Sequence, residues 1–311
     1  MSTFSSYTLP DLYCHEAADE FVPSGGCKHL DHLASSYSSF DNDNDFVVTM
    51  FDSEVDQTPE PKLLERLRLL PDVVTSRREA VQWILKVQNF HMLRPETAYL
   101  SVNYLDRFLY ARGLPQGKEW SMQLLSVACV SLAAKMGERE VPLLLDLQIK
   151  ESKFLFKPIT VQKMELLVMA TLKWQLRTIT PFDFVHHFIT EISCLHSQEH
   201  SFTDFFSRTS DLITTICTDI DFLNHRPSTI AAAAVLLTAD CGVEDQKLGC
   251  IEKVNREMLK KCHNLLRRKL SDHLLLVKQQ KLELLPPPSP TGFLDTALDE
   301  GCNRRNLKSM E

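Results

Sequence analysis

The sequence predicts an all-α protein made of two tandem bundles of about five helices each, with a short N-terminal helix and disordered tails. Three observations lead to this fold class. Between residues 57 and 280, apolar residues recur at helical spacing, and few stretches alternate apolar and polar residues as strands do. Prolines, capping residues and glycines divide this region into pieces of helix length. Two segments, 120–136 and 227–241, are apolar or small on nearly every side, which predicts one buried central helix for each bundle.

Start and stop signals define the helices of the first bundle. Pro71 ends the short first helix, and Ser76 with Glu79 matches a capping box that opens the next one. Pro95 occupies the first position of the following helix, which Gly113 ends. The predicted helices are 59–70, 77–92, 95–112, 120–136, 140–151 and 160–174.

The second bundle begins at an equally clear start signal. Thr180, Pro181 and Asp183 supply a capping hydroxyl, a proline at the first helical position and an acid in the first turn. The similar number and length of the helices in the two halves suggest a duplicated unit. The predicted helices are 181–194, 202–222, 227–241, 246–250 and 254–280.

The two ends of the chain have the composition of flexible tails. Residues 1–56 are rich in Ser, Asp, Asn and Gly without a sustained period, and a proline run at 286–290 follows the last predicted helix. Residues 1–61 hold twelve acids and one base, a net charge of −11, whereas the rest of the chain is only +4. The predicted organisation is an acidic tail, a first bundle, a second bundle and a proline-containing tail, at 1–56, 57–178, 179–281 and 282–311.

Composition and charge exclude several classes of function. No apolar run approaches the ~20 residues that span a bilayer, and the N-terminus lacks a signal-peptide pattern, so no membrane partner is expected. A body of charge +4 does not resemble a nucleic-acid binder. The nine cysteines include no C-x-x-C pair and are expected to be reduced. Glycine-rich phosphate loops and nucleophile elbows are absent, so we expect neither an active site nor a cofactor.

Two groups of Cys and His could be drawn as metal sites. Each offers three ligands, without the paired cysteines of a structural zinc site. We therefore expect no metal site at either group, which are Cys27, His29 and His32, and Cys194, His196 and His200.

Five ordered motifs resemble a known family. Four of them lie within about 90 residues and look like the cyclin box, and the fifth, which opens the second bundle, is similar to D-type cyclins of plants. The resemblance implies a non-catalytic subunit that binds and activates a cyclin-dependent Ser/Thr protein kinase at the G1/S transition. The motifs are Arg77–Leu85, Asn103–Leu109, Leu132–Met136, Met164–Leu167 and Thr180–Phe184.

The resemblance also implies roles for individual residues. Lys135 and Glu165 match the pair that contacts the kinase, and the nearby apolar candidates are Met136, Met169 and Trp174. The alternatives are ordinary solvated charges for the pair and core packing for the apolar three. Two further residues, Arg77 and Asp106, match a structural ion pair between the first two helices of the box.

The family's substrate-docking patch matches less well. Trp83 and Gln123 fit it, but Glu79 and Ala80 stand where many cyclins have large apolar residues. The capping box predicted above would explain Glu79. This departure puts substrate recruitment through the patch in doubt.

The acidic tail holds a second recruitment motif. Leu12, Cys14 and Glu16 fit L-x-C-x-E, with which D-type cyclins bind retinoblastoma-type pocket proteins. In an extended strand, alternate residues point to one side, so these three side chains share a face. The resemblance therefore implies a pocket protein as a second partner, besides kinase-inhibitor proteins.

Other readings and sites remain open at this point. The alternative function is a cyclin-fold transcription protein or transcriptional-kinase cyclin, which should carry a basic face for nucleic acid. Ser289 precedes Pro290 and is a candidate phosphorylation site for a cyclin-dependent kinase. A nuclear and cytoplasmic location is expected from the resemblance.

Overall fold

The computed structural model describes residues 47–54, 69–114, 118–149, 154–195, 202–241, 243 and 253–283. Within these ranges all regular structure is helical, which confirms the predicted all-α class. The elements are α1 (47–54), α2 (Pro71–His91), α3 (Pro95–Ala111), α4 (Glu119–Gly137), α5 (Pro158–Thr171), α6 (Pro181–Leu195), α7 (Phe202–Ile216), a short 3-10 helix (Ile220–Asn224), α8 (Pro227–Thr238) and α9 (Arg256–Glu283).

Two hydrophobic cores organise these helices. The first is centred on α4, whose residues from Leu124 to Ala134 are almost all buried against α2, α3 and α5. The second is centred on α8, whose residues from Ser228 to Leu236 are all buried among α6, α7 and α9. Both predicted central helices are confirmed. Tyr99 packs against both cores, and its ring lies edge-on to Phe182 at 6.0 Å.

The start of α2 differs from the prediction. The helix begins at Pro71, with proline at its first position, and not near residue 77. Proline fits the first turn because that turn needs no N–H donor, so Pro71 opens this helix instead of ending the previous one. Ser76 lies inside the helix and Glu79 is exposed on its surface. The predicted capping box is therefore wrong, and it does not explain Glu79.

The helix predicted at 140–151 is also wrong where the structure describes it. Beyond Pro142 there is only a single turn, in which the amide of Leu147 donates to the carbonyl of Leu143. Gln148 then ties its own segment to the one that precedes α5, because its amide group exchanges two hydrogen bonds with the backbone of Phe156, at 2.6 and 3.0 Å. Helix periodicity cannot reveal such a side-chain-to-backbone bridge.

One further predicted helix has a different end, and two others lie largely or wholly outside the described residues. The helix predicted at 202–222 ends at Ile216, because the chain turns at Cys217 before the 3-10 helix. Of the helix predicted at 59–70, only Leu69 and Leu70 are described, and they are not helical. The helix predicted at 246–250 lies outside the described residues.

A short helix occupies part of the predicted disordered tail. Residues 47–54 form α1, which packs on the second bundle with the ring of Phe51 4.9 Å from that of Phe184. The buried carboxylate of Glu54 accepts hydrogen bonds from the backbone N–H and the hydroxyl of Ser228, at 3.0 and 2.7 Å. Glu54 thus caps the N-terminus of α8, where a negative charge also suits the helix dipole. A helix of about two turns depends on such tertiary contacts, which composition does not reveal.

We expect Glu54→Gln to lower the free energy of unfolding by about 1–2 kcal/mol, because it removes the charge at the α8 N-terminus and weakens the cap. Urea unfolding followed by circular dichroism measures the change. Asp52→Asn is the matched control, since Asp52 is exposed on the same helix and should change stability by less than about 0.5 kcal/mol. Equal effects of the two substitutions would contradict the capping role.

Candidate docking site

Lys135 and Glu165 form an ion pair between α4 and α5. The Lys135 ammonium donates to both carboxylate oxygens of Glu165, each at 2.7 Å. The Glu165 side chain is only 7% exposed, whereas that of Lys135 is 44% exposed. The predicted pair is therefore brought together, with the carboxylate buried and the ammonium open to a partner.

The end of α4 is held in place by the start of α3. Glu138 follows α4, and its carboxylate accepts hydrogen bonds from the backbone N–H of Arg94 and the hydroxyl of Thr97, at 2.8 and 2.6 Å. These bonds satisfy donors at the α3 N-terminus. Lys135 lies one turn earlier on α4, so the same bonds help to fix its backbone position. Its positive charge is also stabilised by the negative end of the helix dipole.

Exposed apolar residues flank the ion pair. Met136 follows Lys135 and Leu166 follows Glu165, and each is 51% exposed. Ile159 lies two turns before Leu166 on the same face of α5 and is also exposed. Clusters of exposed large apolar side chains with nearby charge mark protein-binding surfaces. We define the docking rim as Lys135, Met136, Ile159, Glu165, Leu166 and Trp174.

Trp174 belongs to this rim because of an unusual turn after α5. Lys173 and Trp174 both have positive φ, at 54° and 62°, and the Trp174 N–H donates to the carbonyl of Met169 at 2.8 Å. Two successive left-handed residues other than glycine store backbone strain, which clusters at functional sites. The turn leaves the Trp174 side chain 68% exposed.

The sequence-based list for this site differs from the structure in two respects. Met169 is half-buried and packs against the first core, which matches the alternative of a packing role. The sequence analysis did not predict Ile159 and Leu166 as site residues. An apolar residue on a helix is normally assigned to the core, and only the packing of the surrounding helices shows that it is exposed.

Arg77 and Asp106 form a buried two-point ion pair between α2 and α3. Arg77 Nε lies 2.6 Å from Asp106 Oδ1 and Nη2 lies 2.8 Å from Oδ2. The remaining donors of Arg77 reach the carbonyls of Cys217 and Thr218, at 3.1 and 3.3 Å. Burial alone would lower the pKa of Arg77, but the charge and hydrogen bonds of Asp106 raise it above its ordinary value. One guanidinium therefore joins the first bundle to the turn after α7.

The two residues of the expected substrate-docking patch have structural contacts. The Gln123 side-chain amide donates to the carbonyl of Phe154 at 2.9 Å and accepts from its N–H at 3.3 Å. Trp83 is half-buried and packs against the first core. Because the Gln123 amide already bonds the backbone of Phe154, it is not free to bond an external peptide.

Burial keeps three thiols of the two cores, those of Cys129, Cys217 and Cys262, in the protonated form. Burial raises the pKa of Cys217 and of Cys262 to about 12, and it also raises the pKa of Cys129. Thiols with such pKa values stay protonated at neutral pH and do not act as nucleophiles.

Several sequence-based sites fall outside the described residues. They include the tail motif Leu12, Cys14 and Glu16, the candidate phosphosite Ser289, the group Cys27, His29 and His32, and two members of the other group, His196 and His200. Among the described residues, no three His, Cys, Asp or Glu side chains are grouped to hold a metal ion. Within the same residues, no helix combines the length and apolar character of a membrane span.

The fold and the rim together define a class of protein. Two helical bundles present an exposed apolar and charged rim, as in a non-catalytic subunit that acts by binding another protein. The family model for the cyclin N-terminal domain matches residues 45–177, and that for the cyclin C-terminal domain matches residues 179–282.

Curated relatives narrow the family further. Cyclin-D1-1 of Arabidopsis thaliana is 41% identical over 231 residues, covering 74% of this chain and 66% of that protein, just under two thirds. Cyclin-D2-2 of Oryza sativa subsp. japonica is 38% identical over 258 residues, covering 82% of this chain and 71% of that protein. Cyclin-D3-2 of Arabidopsis thaliana is 32% identical over 316 residues, covering 95% of this chain and 82% of that protein. The chain belongs to the plant D-type cyclins, which are non-catalytic regulatory subunits of cyclin-dependent kinases.

A solved structure has the same fold. A viral cyclin from herpesvirus saimiri superposes with a TM-score of 0.50 at 19% identity, covering 62% of this chain and 86% of that one. The relatives favour the D-type cyclin reading over the alternative of a cyclin-fold transcription protein.

Proposed function

We propose that this chain binds a cyclin-dependent Ser/Thr kinase through the docking rim and activates it at the G1/S transition. The observation that carries the proposal is the Lys135–Glu165 pair, in which a buried carboxylate holds an exposed ammonium beside exposed apolar side chains. An ammonium has three N–H donors, and two of them point at Glu165. The third is available to a backbone carbonyl of the kinase.

The pair is organised before the partner arrives. Holding the Lys135 side chain against Glu165 reduces the rotamer entropy that binding would otherwise cost. Met136, Leu166 and Trp174 then supply apolar area that excludes water around the charged contact. The rim thus combines orientation from the ion pair with binding free energy from apolar burial.

Activation follows from selective binding of one kinase conformation. In an active kinase the catalytic Lys–Glu pair is formed and the activation loop is ordered. A subunit that turns a 1:99 equilibrium into 99:1 must bind the active state more tightly by about 5.5 kcal/mol. The rigid double bundle provides this difference only if the rim fits the active state better than the inactive one.

Reconstitution tests the proposal. The purified chain is mixed with each candidate cyclin-dependent kinase, and complex formation and phosphorylation of a histone substrate are measured. We expect at least one kinase to form a stable complex and to gain activity. Baseline activity and no complex with every candidate would refute the proposal.

We further propose that the tail motif recruits a retinoblastoma-type pocket protein as substrate. Leu12, Cys14 and Glu16 have the spacing that places three side chains on one side of an extended strand. A tethered substrate reaches an effective concentration on the order of millimolar without any change at the kinase active site.

We expect Leu12→Ala with Glu16→Ala to reduce phosphorylation of the pocket protein about tenfold or more, because tethering is lost. Phosphorylation of a histone by the same complex should not change, and it serves as the internal control. Radiolabelled phosphate transfer to both substrates measures the ratio. If both rates fell equally, the motif would serve the kinase interaction and not recruitment.

Ser289 supports a proposed regulatory step. It precedes Pro290 in a proline-rich segment, and cyclin-dependent kinases modify Ser-Pro sites. We expect Ser289→Ala to lengthen the half-life of the protein in dividing cells about twofold or more, measured by a translation-block chase, because the added phosphate would create a recognition site for turnover. An unchanged half-life would dismiss this role. Binding of kinase-inhibitor proteins and a nuclear and cytoplasmic location complete the proposed function.

A further inference from the structure

A cavity of about 700 Å³ lies between the two bundles; Trp174 of the docking rim is one of its lining residues, but Lys135 and Glu165 are not. Residues of α3, the connector 175–179, the 3-10 helix and the start of α8 form most of its wall. Its apolar lining includes Val102, Leu176, Ile216, Phe222 and Ile230. The volume falls within the usual range for sites that hold a compact organic ligand.

Unpartnered polar atoms are concentrated on the residues that line this cavity. Six buried side-chain atoms of the described residues have no hydrogen-bond partner, and four of them belong to its wall. A buried polar atom without a partner costs free energy, so in solution such atoms bind either water or a ligand. The four atoms are Asn103 Oδ1, Arg107 Nη1, Thr178 Oγ1 and His225 Nδ1.

The unmatched charge in the wall is positive. Arg77 is paired with Asp106, and Asp219 is paired with Lys269 of α9. Arg107 and Arg177 also line the cavity, and no carboxylate of the described residues lies within ion-pair distance of either. Every acid in the described wall is thus matched, and two guanidinium groups are left over.

Arg107 is fixed in a position that suits an anion. Its Nη2 donates to the carbonyl of Gln175 at 2.8 Å, which holds the side chain while Nη1 stays without a partner. Asn103 lies one turn earlier on the same face of α3, and its open Oδ1 is an acceptor that suits an N–H or O–H donor elsewhere on the ligand. Burial and Lys261 lower the pKa of His225, so its neutral ring can donate a hydrogen bond from Nδ1.

We propose that this cavity binds a compact organic anion, with a carboxylate or phosphate group at Arg107 and Thr178 and an apolar body against Val102 and Phe222. The guanidinium and hydroxyl donors match the oxygens of such a group. The apolar wall matches a branched or aromatic body. The site goes beyond kinase activation, and it gives the D-type cyclin a second, small-molecule partner.

Three probes that share a phenyl ring and differ in their polar group test the proposal on the full-length protein. They are 3-phenylpropionate, phenyl phosphate and the neutral 3-phenylpropionamide, each measured by saturation-transfer NMR and titration. We expect at least one anion to bind with a dissociation constant on the order of a millimolar. The amide should bind about tenfold more weakly or not at all, because its single neutral carbonyl cannot form the charge-assisted, two-point contact with Arg107 that a carboxylate forms. The better of the two anions identifies the ligand group.

Variants locate the binding in the cavity. Arg107→Gln should weaken anion binding about tenfold, whereas Arg112→Gln should not, since Arg112 lies at the end of the same helix outside the cavity wall. Thr178→Val should weaken binding without lowering the melting temperature, because it removes a hydroxyl that has no partner. Equal binding of anion and amide, or no effect of Arg107→Gln in a folded protein, would overturn the proposal. A lower melting temperature for Thr178→Val would also count against it, since it would show a hydroxyl that is already satisfied.

Discussion

Replacing both members of the Lys135–Glu165 pair by methionine should abolish kinase activation while the protein stays folded. Methionine approximates the volume of both side chains, and apolar replacement of both partners of a buried ion pair is often neutral for stability. Removing the charges deprives the kinase of a fixed donor at the centre of the rim. Loss of a buried charged contact at an interface costs about 2–5 kcal/mol, or about 30-fold or more in affinity.

The measurement combines affinity, activity and stability. Titration calorimetry gives the dissociation constant of the kinase complex, and histone phosphorylation gives the activity. The melting temperature of the free Lys135→Met with Glu165→Met protein should stay within a few degrees of wild type. Lys135→Met alone should be less stable than the double variant, because it leaves the buried Glu165 carboxylate without its partner.

A second ion pair provides the matched control. Lys261 and Glu257 are one turn apart on α9, with 2.6 Å between Nζ and Oε1, and both are exposed. Exposed pairs of this kind contribute little, so Glu257→Met with Lys261→Met should leave kinase binding and activity unchanged. Comparable losses in both double variants would mean that general charge, and not the rim, governs association.

Helix periodicity predicted the fold class but not the positions that depend on tertiary contacts. The central helices α4 and α8 were found because an all-apolar helix must be buried wherever it stands. The predicted capping box at Ser76 was wrong because the helix already begins at Pro71. The predicted helix at 140–151 was wrong because the Gln148 side chain bonds the backbone of Phe156, a contact that periodicity does not reveal.

The docking site was found only in part for the same reason. Lys135 and Glu165 were placed by resemblance, and their pairing could not be derived from a separation of 30 residues. Exposure of Leu166 and Ile159 depends on which face of α5 the first core covers. The left-handed turn at Lys173 and Trp174 contains no glycine, so no sequence pattern marked it.

Arg77→Leu should destabilise the protein by about 3–5 kcal/mol, because it leaves the Asp106 carboxylate buried without its partner. The expected loss is a large fraction of the total stability of a typical domain. Urea unfolding monitored by circular dichroism and by tryptophan fluorescence gives the change. Arg77→Lys should lose less, since an ammonium keeps the charge but not the two-point contact with the carboxylate.

A double-mutant cycle separates the ion pair from the link between the bundles. Asp106→Leu alone leaves a buried guanidinium, and combining it with Arg77→Leu removes both charges. If the pair were the whole effect, the double variant would approach wild-type stability. Arg77 also donates to the carbonyls of Cys217 and Thr218, so we expect a residual loss of about 1–3 kcal/mol from these unpartnered acceptors.

Hydrogen exchange can show where in the molecule this residual loss of stability arises. Hydrogen exchange of the double variant should rise in the turn after α7, where Cys217 and Thr218 lie, and in α2 around residue 77. Exchange near the α8 N-terminus, which Glu54 caps, should stay slow. A double variant of wild-type stability, with unchanged exchange at Cys217, would show that Arg77 acts only within the first bundle. Because Arg77 bonds both Asp106 of α3 and the carbonyls of Cys217 and Thr218 after α7, we expect the opposite: Arg77 couples the two bundles.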